Sequence, residues 1–244
     1  MSTASYLFAA VLYAAVAVFA AGLGHKIVQY ARVRAPLKIP TTPAPTTRWG
    51  VGMRLAREIV FFESLFKANL WIWLFGWLFH AALLLVLLRH LRYFVEPVWG
   101  WLVWLQPLGV LAALVMVTGL AGLWARRFFV ERIAYISTPS DHLMLALLAL
   151  IAASGLTLKF VAHTDIVAVK IYFLGLLHFE LQPLPADPVL YLHLALVSIL
   201  LLVFPFSKLL HAPGLLFSPT RNQSDDSRQV RHLAPWAAGL EGKR

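Results

Sequence analysis

An all-α membrane protein, a bundle of five transmembrane helices, is the fold class this sequence predicts. Three observations predict it. The 244 residues are 60% hydrophobic and only 13% charged, with a mean hydropathy of +0.75, well outside the composition of soluble domains. The apolar residues gather into five runs, each long enough to cross a hydrocarbon core of ~30 Å at ~1.5 Å per residue. The basic residues flank those runs instead of interrupting them.

The first run covers residues 6–28. The preceding Met1-Ser2-Thr3-Ala4-Ser5 carries no basic n-region, and the positive charge follows the run. It therefore reads as a retained helix and not as a signal peptide. Next comes a strap over 34–48, in which Pro36, Pro40, Pro43 and Pro45 disfavour helix and favour extended chain. Residues of about 52–69 read as an amphipathic helix with Phe61, Phe62, Leu65 and Phe66 at apolar positions. The second, third, fourth and fifth runs cover 70–91, 101–125, 142–162 and 189–211. Residues 166–179 form a short interfacial helix, which the proline-bearing stretch 181–188 breaks. Residues 1–216 thus make one membrane domain. The polar, basic segment 217–244 is a cytoplasmic tail ordered by a partner subunit.

The formal net charge of +10 invites a nucleic-acid partner, but its location points instead to topology and to anionic lipid. Of the 21 Lys and Arg residues, all but Arg89, Arg92, Lys159 and Lys170 fall on one side of the five runs. The positive-inside rule makes that side cytoplasmic, with the N-terminus outside and the C-terminus inside. The absence of cysteine removes disulfides, cysteine-ligated iron–sulfur clusters and covalent haem attachment.

Histidines inside spanning helices are functional candidates, because a bilayer penalises polar side chains. His80 and His90 lie ten residues apart in the second run, and His193 and His211 eighteen apart in the fifth. The first spacing is a rise of about 15 Å, the second five turns on one face and about 27 Å. Because the two runs are antiparallel, His90 faces His193 near the outer side and His80 faces His211 near the inner side. These four are candidate axial ligands for two haem b groups between helices two and five. The unequal rises are a tension that tilt or a kink at Pro205 would have to absorb. The competing reading makes histidines near run ends, as His90 and His211 are, simple interfacial residues and the protein a haem-free anchor that docks redox subunits. No H-E-x-x-H and no histidine box supports a metalloenzyme, and the scarcity of intramembrane Asp and Glu argues against a transporter.

Arg89 and Arg92 flank His90 and are candidate contacts for haem propionates, with plain snorkelling the alternative. His163, Asp165, Lys170 and His178, with Glu180, cluster on the outer side. They are the candidate quinone site, a site that needs hydrogen-bond partners and a proton route, with a solvated outer loop the competing reading. His25, beside Gly22 and Gly24, reads as a packing or interfacial residue. His142, after Ser140-Asp141, belongs to a helix cap. The tryptophans near run ends read as an aromatic belt.

Leu192-His193-Leu194, followed by Phe204-Pro205-Phe206-Ser207-Lys208-Leu209-Leu210-His211, resembles the last helix of the respiratory nitrate reductase gamma subunit family. Phe79-His80 with His90, and Ala125-Arg126-Arg127-Phe128-Phe129, resemble its second helix and the end of its third. The resemblance implies a five-helix cytochrome b with two haems on these four histidines. Three further stretches resemble one branch, the membrane cytochrome b subunits of complexes associated with dissimilatory sulfite reductase. They are the strap from Ala35 to Pro45, Tyr135-Ile136-Ser137-Thr138-Pro139-Ser140-Asp141-His142, and Phe217 to Gln223 with Arg231-His232. This branch implies an electron-transfer subunit, not catalytic alone, in a bacterial cytoplasmic (inner) membrane. It exchanges electrons between menaquinone or ubiquinone and a cytoplasmic iron–sulfur subunit of heterodisulfide-reductase type, alongside other membrane and periplasmic redox subunits. One departure stands out. The lysine associated with quinone near the outer start of the family's third helix has no counterpart in Trp99 to Gln106, so that site is not carried over.

Overall fold

In the computed structural model, residues 2–33, 39–226, 228–229 and 233 are described. Strap residues 34–38 and tail residues 227, 230–232 and 234–244, with Arg231 and His232, lie outside them. The described residues form helices and connecting turns, without strands, and five helices are long and apolar enough to cross a membrane.

The first, α1, runs over Thr3–Arg32 and is capped by the Ser2 hydroxyl, which accepts from the Ser5 N–H. The amphipathic segment is two helices where one was expected: α2 (Arg48–Phe61) and α3 (Glu63–Ala68). Phe62 separates them in the left-handed conformation, φ 52° and ψ 46°, which a bulky L-residue rarely adopts. The second spanning helix, α4 (Leu70–His90), begins at the Asn69 side-chain cap. Its Trp73 and Trp77 ring N–H groups donate to the Phe61 and Val60 carbonyls at 2.7 and 2.9 Å. These are terminal carbonyls that α2 leaves without intrahelical donors.

The third run is also interrupted. A short α5 (Gly100–Leu105) precedes α6 (Leu108–Phe129), with Gln106 and Pro107 between them. Proline lacks the N–H that a continuous helix requires. After α7 (Glu131–Ile136), the fourth spanning helix α8 (Pro139–Thr157) starts in a capping box between Thr138 and Asp141. It widens over Leu158–Ala162 into a π-helical turn. The short α9 (Ile166–Leu177) follows.

The fifth spanning helix, α10 (Pro188–Val203), tightens into a 3-10 turn over Phe204–Phe206 and ends there. A continuous helix to His211 is therefore incorrect, and the ~27 Å rise that it implied does not apply. Pro205 ends the helix instead of kinking it, because its ring clashes one turn back and it donates no hydrogen bond. Fully buried, it lies against α1 at Gly22, where a Cβ would stand 2.5 Å from its own Cβ. Gly24, by contrast, meets nothing within 4 Å. The chain then turns through His211 into α11 (Ala212–Phe217) and α12 (Pro219–Asn222).

Packing runs as an arc: α4 on α6, α6 on α8, α8 on α10 and α10 on α1. The α4–α6 contact is the closest, since a Cβ on Gly119 would stand 2.8 Å from the Phe79 nitrogen and 2.9 Å from the Phe75 oxygen. One cluster of buried residues joins α4, α6 and α8 around Phe79, Met116, Leu120 and Ala152. Another joins α1, α9 and α10 around Tyr172, Leu190 and Leu194. The helices α4 and α10 are not themselves a packed pair among the described residues. At the N-terminal end, Ser5 accepts from the Leu184 N–H at 3.0 Å, and Tyr172 donates to the Ser5 carbonyl at 3.1 Å. At the opposite end, Arg221 bonds Glu58 at 2.8 Å and Ser64 at 2.5 Å, and the Asp225 N–H reaches the Pro45 carbonyl at 2.9 Å. Strap, amphipathic helices and the first part of the tail thereby form one platform.

Candidate functional site

His80 and His90 stand on α4 and His193 on α10, while His211 sits in the turn beyond α10; α4 and α10 are not a packed pair among the described residues. At the platform level, the His80 and His211 rings have centroids 5.7 Å apart with their planes at 89°. Two imidazoles sharing one metal at ~2.0–2.1 Å per bond have ring centres ~6 Å apart, so this pair suits a shared iron. His90 closes α4 and His193 lies in the first two turns of α10, both at the helix ends away from the platform. The end of α10 at Phe206 makes these two pairings compatible, because His211 sits on a turn and its height is free of the helical rise.

Each of the four uses its Nδ1 locally. His80 bonds the Gly76 carbonyl and His90 the Val86 carbonyl, each at 2.7 Å. His211 lies 3.4 Å from the Lys208 carbonyl. His193 meets the Ser154 hydroxyl at 2.8 Å, while that hydroxyl donates to the Ile151 carbonyl at 2.9 Å. A ring whose Nδ1–H donates keeps its lone pair on Nε2, and such an outer partner fixes the orientation of a ligating imidazole. Among the described residues no group of three or more His, Cys, Asp or Glu converges on a metal position. A porphyrin, which brings its own four nitrogens and asks for two axial ligands, fits this donor set.

The supporting residues were not singled out in the sequence. Gly155 leaves room for the His193 ring, since a Cβ there would stand 3.4 Å from its Cε1. Asp141 accepts twice from Lys208, at 2.9 and 3.0 Å, with Arg127 at 3.8 Å. That contact ties the turn bearing His211 to the start of α8. Phe62 sets its ring edge-on to His80 at 5.2 Å. A polar Ser-Gly pair inside an apolar run was the visible signal for Ser154 and Gly155. The Asp141–Lys208 contact, 67 residues apart, had none.

The other candidates separate. Arg89 and Arg92 converge on the Gln106 side-chain oxygen at 3.3 and 3.0 Å. Asp165 caps α9 by accepting from the Val167 and Ala168 N–H groups. His163 bonds the Val161 carbonyl, His178 bonds the Leu174 carbonyl, and Lys170 pairs with Glu96. Among the described residues none of these four uses another of the four as its partner. His142 accepts from the Trp124 ring N–H at 3.1 Å, a structural role, and His25 is exposed. Asp187 caps α10, and the Thr164 hydroxyl, followed by the Leu190 and Val189 N–H groups, holds its carboxyl below the usual range.

Five apolar helices with paired histidines define the class: a multi-pass membrane protein of the cytochrome b type, an electron-transfer subunit. Residues 64–223 match the nitrate reductase gamma subunit family, and the chain belongs to that family. It is similar to the Hdr-like menaquinol oxidoreductase cytochrome b-like subunit of Archaeoglobus fulgidus, 39% identical over 92% of this chain and 81% of that one. The protein of the same description in Archaeoglobus profundus is 35% identical over 97% of this chain and 84% of that one.

Proposed function

We propose that this protein is a dihaem b-type cytochrome subunit that passes electrons across a membrane between a quinone, menaquinone or ubiquinone, and a cytoplasmic iron–sulfur subunit of heterodisulfide-reductase type. In this reading the complex serves dissimilatory sulfur metabolism in a cytoplasmic membrane, with further membrane and periplasmic redox subunits. The N-terminus faces out and the C-terminus faces in. Residues 1–216 are the membrane domain and 217–244 the tail that meets the partner. The observation that supports the reading is the approach of His80 on α4 to His211 in the turn beyond α10, with the Nδ1 of each of the four histidines on a local partner. The printed description of the Archaeoglobus relatives supports the quinol and Hdr-like parts.

His80 and His211 hold the inner haem, and His90 and His193 the outer one. Held by these residues, the haems would supply one-electron carriers at two points along the bundle. The carbonyls of Gly76 and Val86 and the hydroxyl of Ser154 orient the imidazoles and leave Nε2 free as the ligating nitrogen. Two histidines per iron leave no open position, which suits electron transfer over oxygen chemistry. Quinone exchange is assigned in this reading to the outer end, near His163, Asp165, Lys170 and His178, each of which would have to leave its present local partner to serve as a donor or acceptor.

The test is a reduced-minus-oxidised visible spectrum with haem quantification on the detergent-purified protein, repeated for His80→Ala and His193→Ala. Two b-haems per chain, with one lost in each variant, are expected. A folded preparation, reconstituted with its partner subunits and free of haem, would overturn the reading and leave a docking anchor.

A further inference from the structure

Arg89 lies one residue before His90 and Arg92 two after it, so both guanidinium groups belong to the turn that carries this ligand. They meet on one neutral oxygen, that of Gln106, with Arg89 Nε at 3.3 Å and Arg92 Nη1 at 3.0 Å. The Gln106 amide in turn donates to the Leu102 carbonyl at 3.3 Å, which fixes which end of the side chain faces the arginines. The break at Gln106-Pro107 brings that side chain to α4. Gly109 leaves the path for Arg89, since a Cβ there would stand 2.1 Å from Arg89 Cδ. Arg92 also rests over the Tyr93 ring at 5.7 Å. Among the described residues neither arginine has a carboxylate within ion-pair distance. Two adjacent, half-buried cations sharing one neutral acceptor repel each other and keep donors free for an anion. Guanidinium forks match carboxylates in shape and charge.

We propose that Arg89, Arg92 and Gln106 form a dicationic socket beside His90 that takes the paired carboxylates of the outer haem, with Gln106 and Gly109 positioning the two guanidinium groups. This inference rests on the dihaem reading above. The socket makes the outer haem easier to reduce, because two fixed positive charges stabilise the added electron. Gln106 is a positioning residue: it touches no iron ligand and acts through the arginines.

Redox potentiometry of the purified protein, with each haem followed separately, tests it in Arg89→Gln, Gln106→Glu and Gly109→Ala. Arg89→Gln removes a positive charge and Gln106→Glu adds a negative one. Each should shift the reduced-to-oxidised ratio of the outer haem downward about tenfold at fixed potential, ~59 mV for a one-electron couple, with the inner haem unmoved. Gly109→Ala keeps every charge and displaces Arg89, so a smaller shift of the same sign is expected. Should Gln106→Glu fail to fold, Arg89→Gln and Gly109→Ala decide. An unmoved outer haem in folded variants overturns the socket. A weakened affinity for a hydroxyquinoline N-oxide quinol analogue in those variants would then assign the arginines to the quinone ring. Wild-type protein without haem would overturn the dihaem reading itself, a separate and distinguishable result.

Discussion

Gly119→Ala is the sharpest probe of how the helix arc sets the inner pair of histidines. The added Cβ would stand 2.8 Å from the Phe79 nitrogen, 2.9 Å from the Phe75 oxygen and 3.0 Å from the Phe79 Cβ. Ordinary contact begins near 3.4 Å, so α4 must retreat from α6 by ~0.5 Å, and overpacking of this kind costs ~1–3 kcal/mol. Two of the three neighbours are backbone atoms, so no side-chain rotation offers relief. The retreat falls at the residue before His80, which moves that ring relative to His211. The expected result is a lower midpoint of thermal unfolding in detergent, with perturbed or lost inner haem and intact outer haem. Gly24→Ala is the matched control: nothing lies within 4 Å of its added Cβ, and replacing a mid-helix glycine by alanine favours the helix by ~0.5–1 kcal/mol. If Gly119→Ala melts no lower than Gly24→Ala and keeps both haems, the reasoning from close approach is wrong.

Ser154→Ala removes the acceptor that holds the His193 ring. Second-partner losses of this kind cost ~10–100-fold in metal-site affinity, so haem quantification should show partial loss confined to the outer haem. Asp141→Asn breaks the charge-assisted contacts to Lys208, worth ~1 kcal/mol or less because the lysine is largely exposed; the inner haem should become more labile to detergent while the outer one persists. Asp187 has a carboxyl pKa lowered chiefly by the Thr164 hydroxyl. Its stabilisation is complete above the unfolded value of ~3.9 and is lost as pH falls through the lower folded value. Asp187→Asn keeps the helix cap and has no such group to protonate. Thermal unfolding across the acid range should therefore show a flatter pH dependence in the variant. Equal slopes would remove Asp187 from the acid limb.

The five spans were legible because each is an uninterrupted apolar run, and a bilayer-crossing helix requires little else. The breaks inside the expected helices were less so. Pro205 and Pro107 announced an irregularity, yet whether proline kinks or ends a helix depends on its surroundings. Here Gly22 on α1 accepts the Pro205 ring and leaves the chain free to turn. Phe62 gave no signal at all. A phenylalanine with φ of 52° is held by its surroundings, with its ring against His80 and α2 fastened by Trp73 and Trp77. The approach of His80 to His211 agrees with the pairing expected from helix order, although the helical spacing between His193 and His211 does not hold, since the helix ends before His211. The supporting partners could not be read, since Ser154 lies 39 residues from His193 and Asp141 lies 67 from Lys208.

The two pairs are supported by different kinds of structure, and the difference bears on how electrons leave the protein. His90 and His193 sit on regular helices, with Ser154 and Gly155 of α8 shaping the space around His193. His211 sits on a turn whose position depends on a proline stop, the Asp141–Lys208 contact and the start of α11. Its counterpart His80 touches Phe62, the joint between the two amphipathic helices. Those helices are bound in turn to the tail through Glu58, Ser64 and Arg221. A subunit seated on the platform would thus meet residues one side chain away from His80, whereas among the described residues no hydrogen bond, ion pair or ring contact joins the platform to His90 or His193. Under the dihaem reading proposed above, a load on the platform is expected to move His80 and His211 and leave His90 and His193 in place, which would couple a docked partner to the haem held by the first pair.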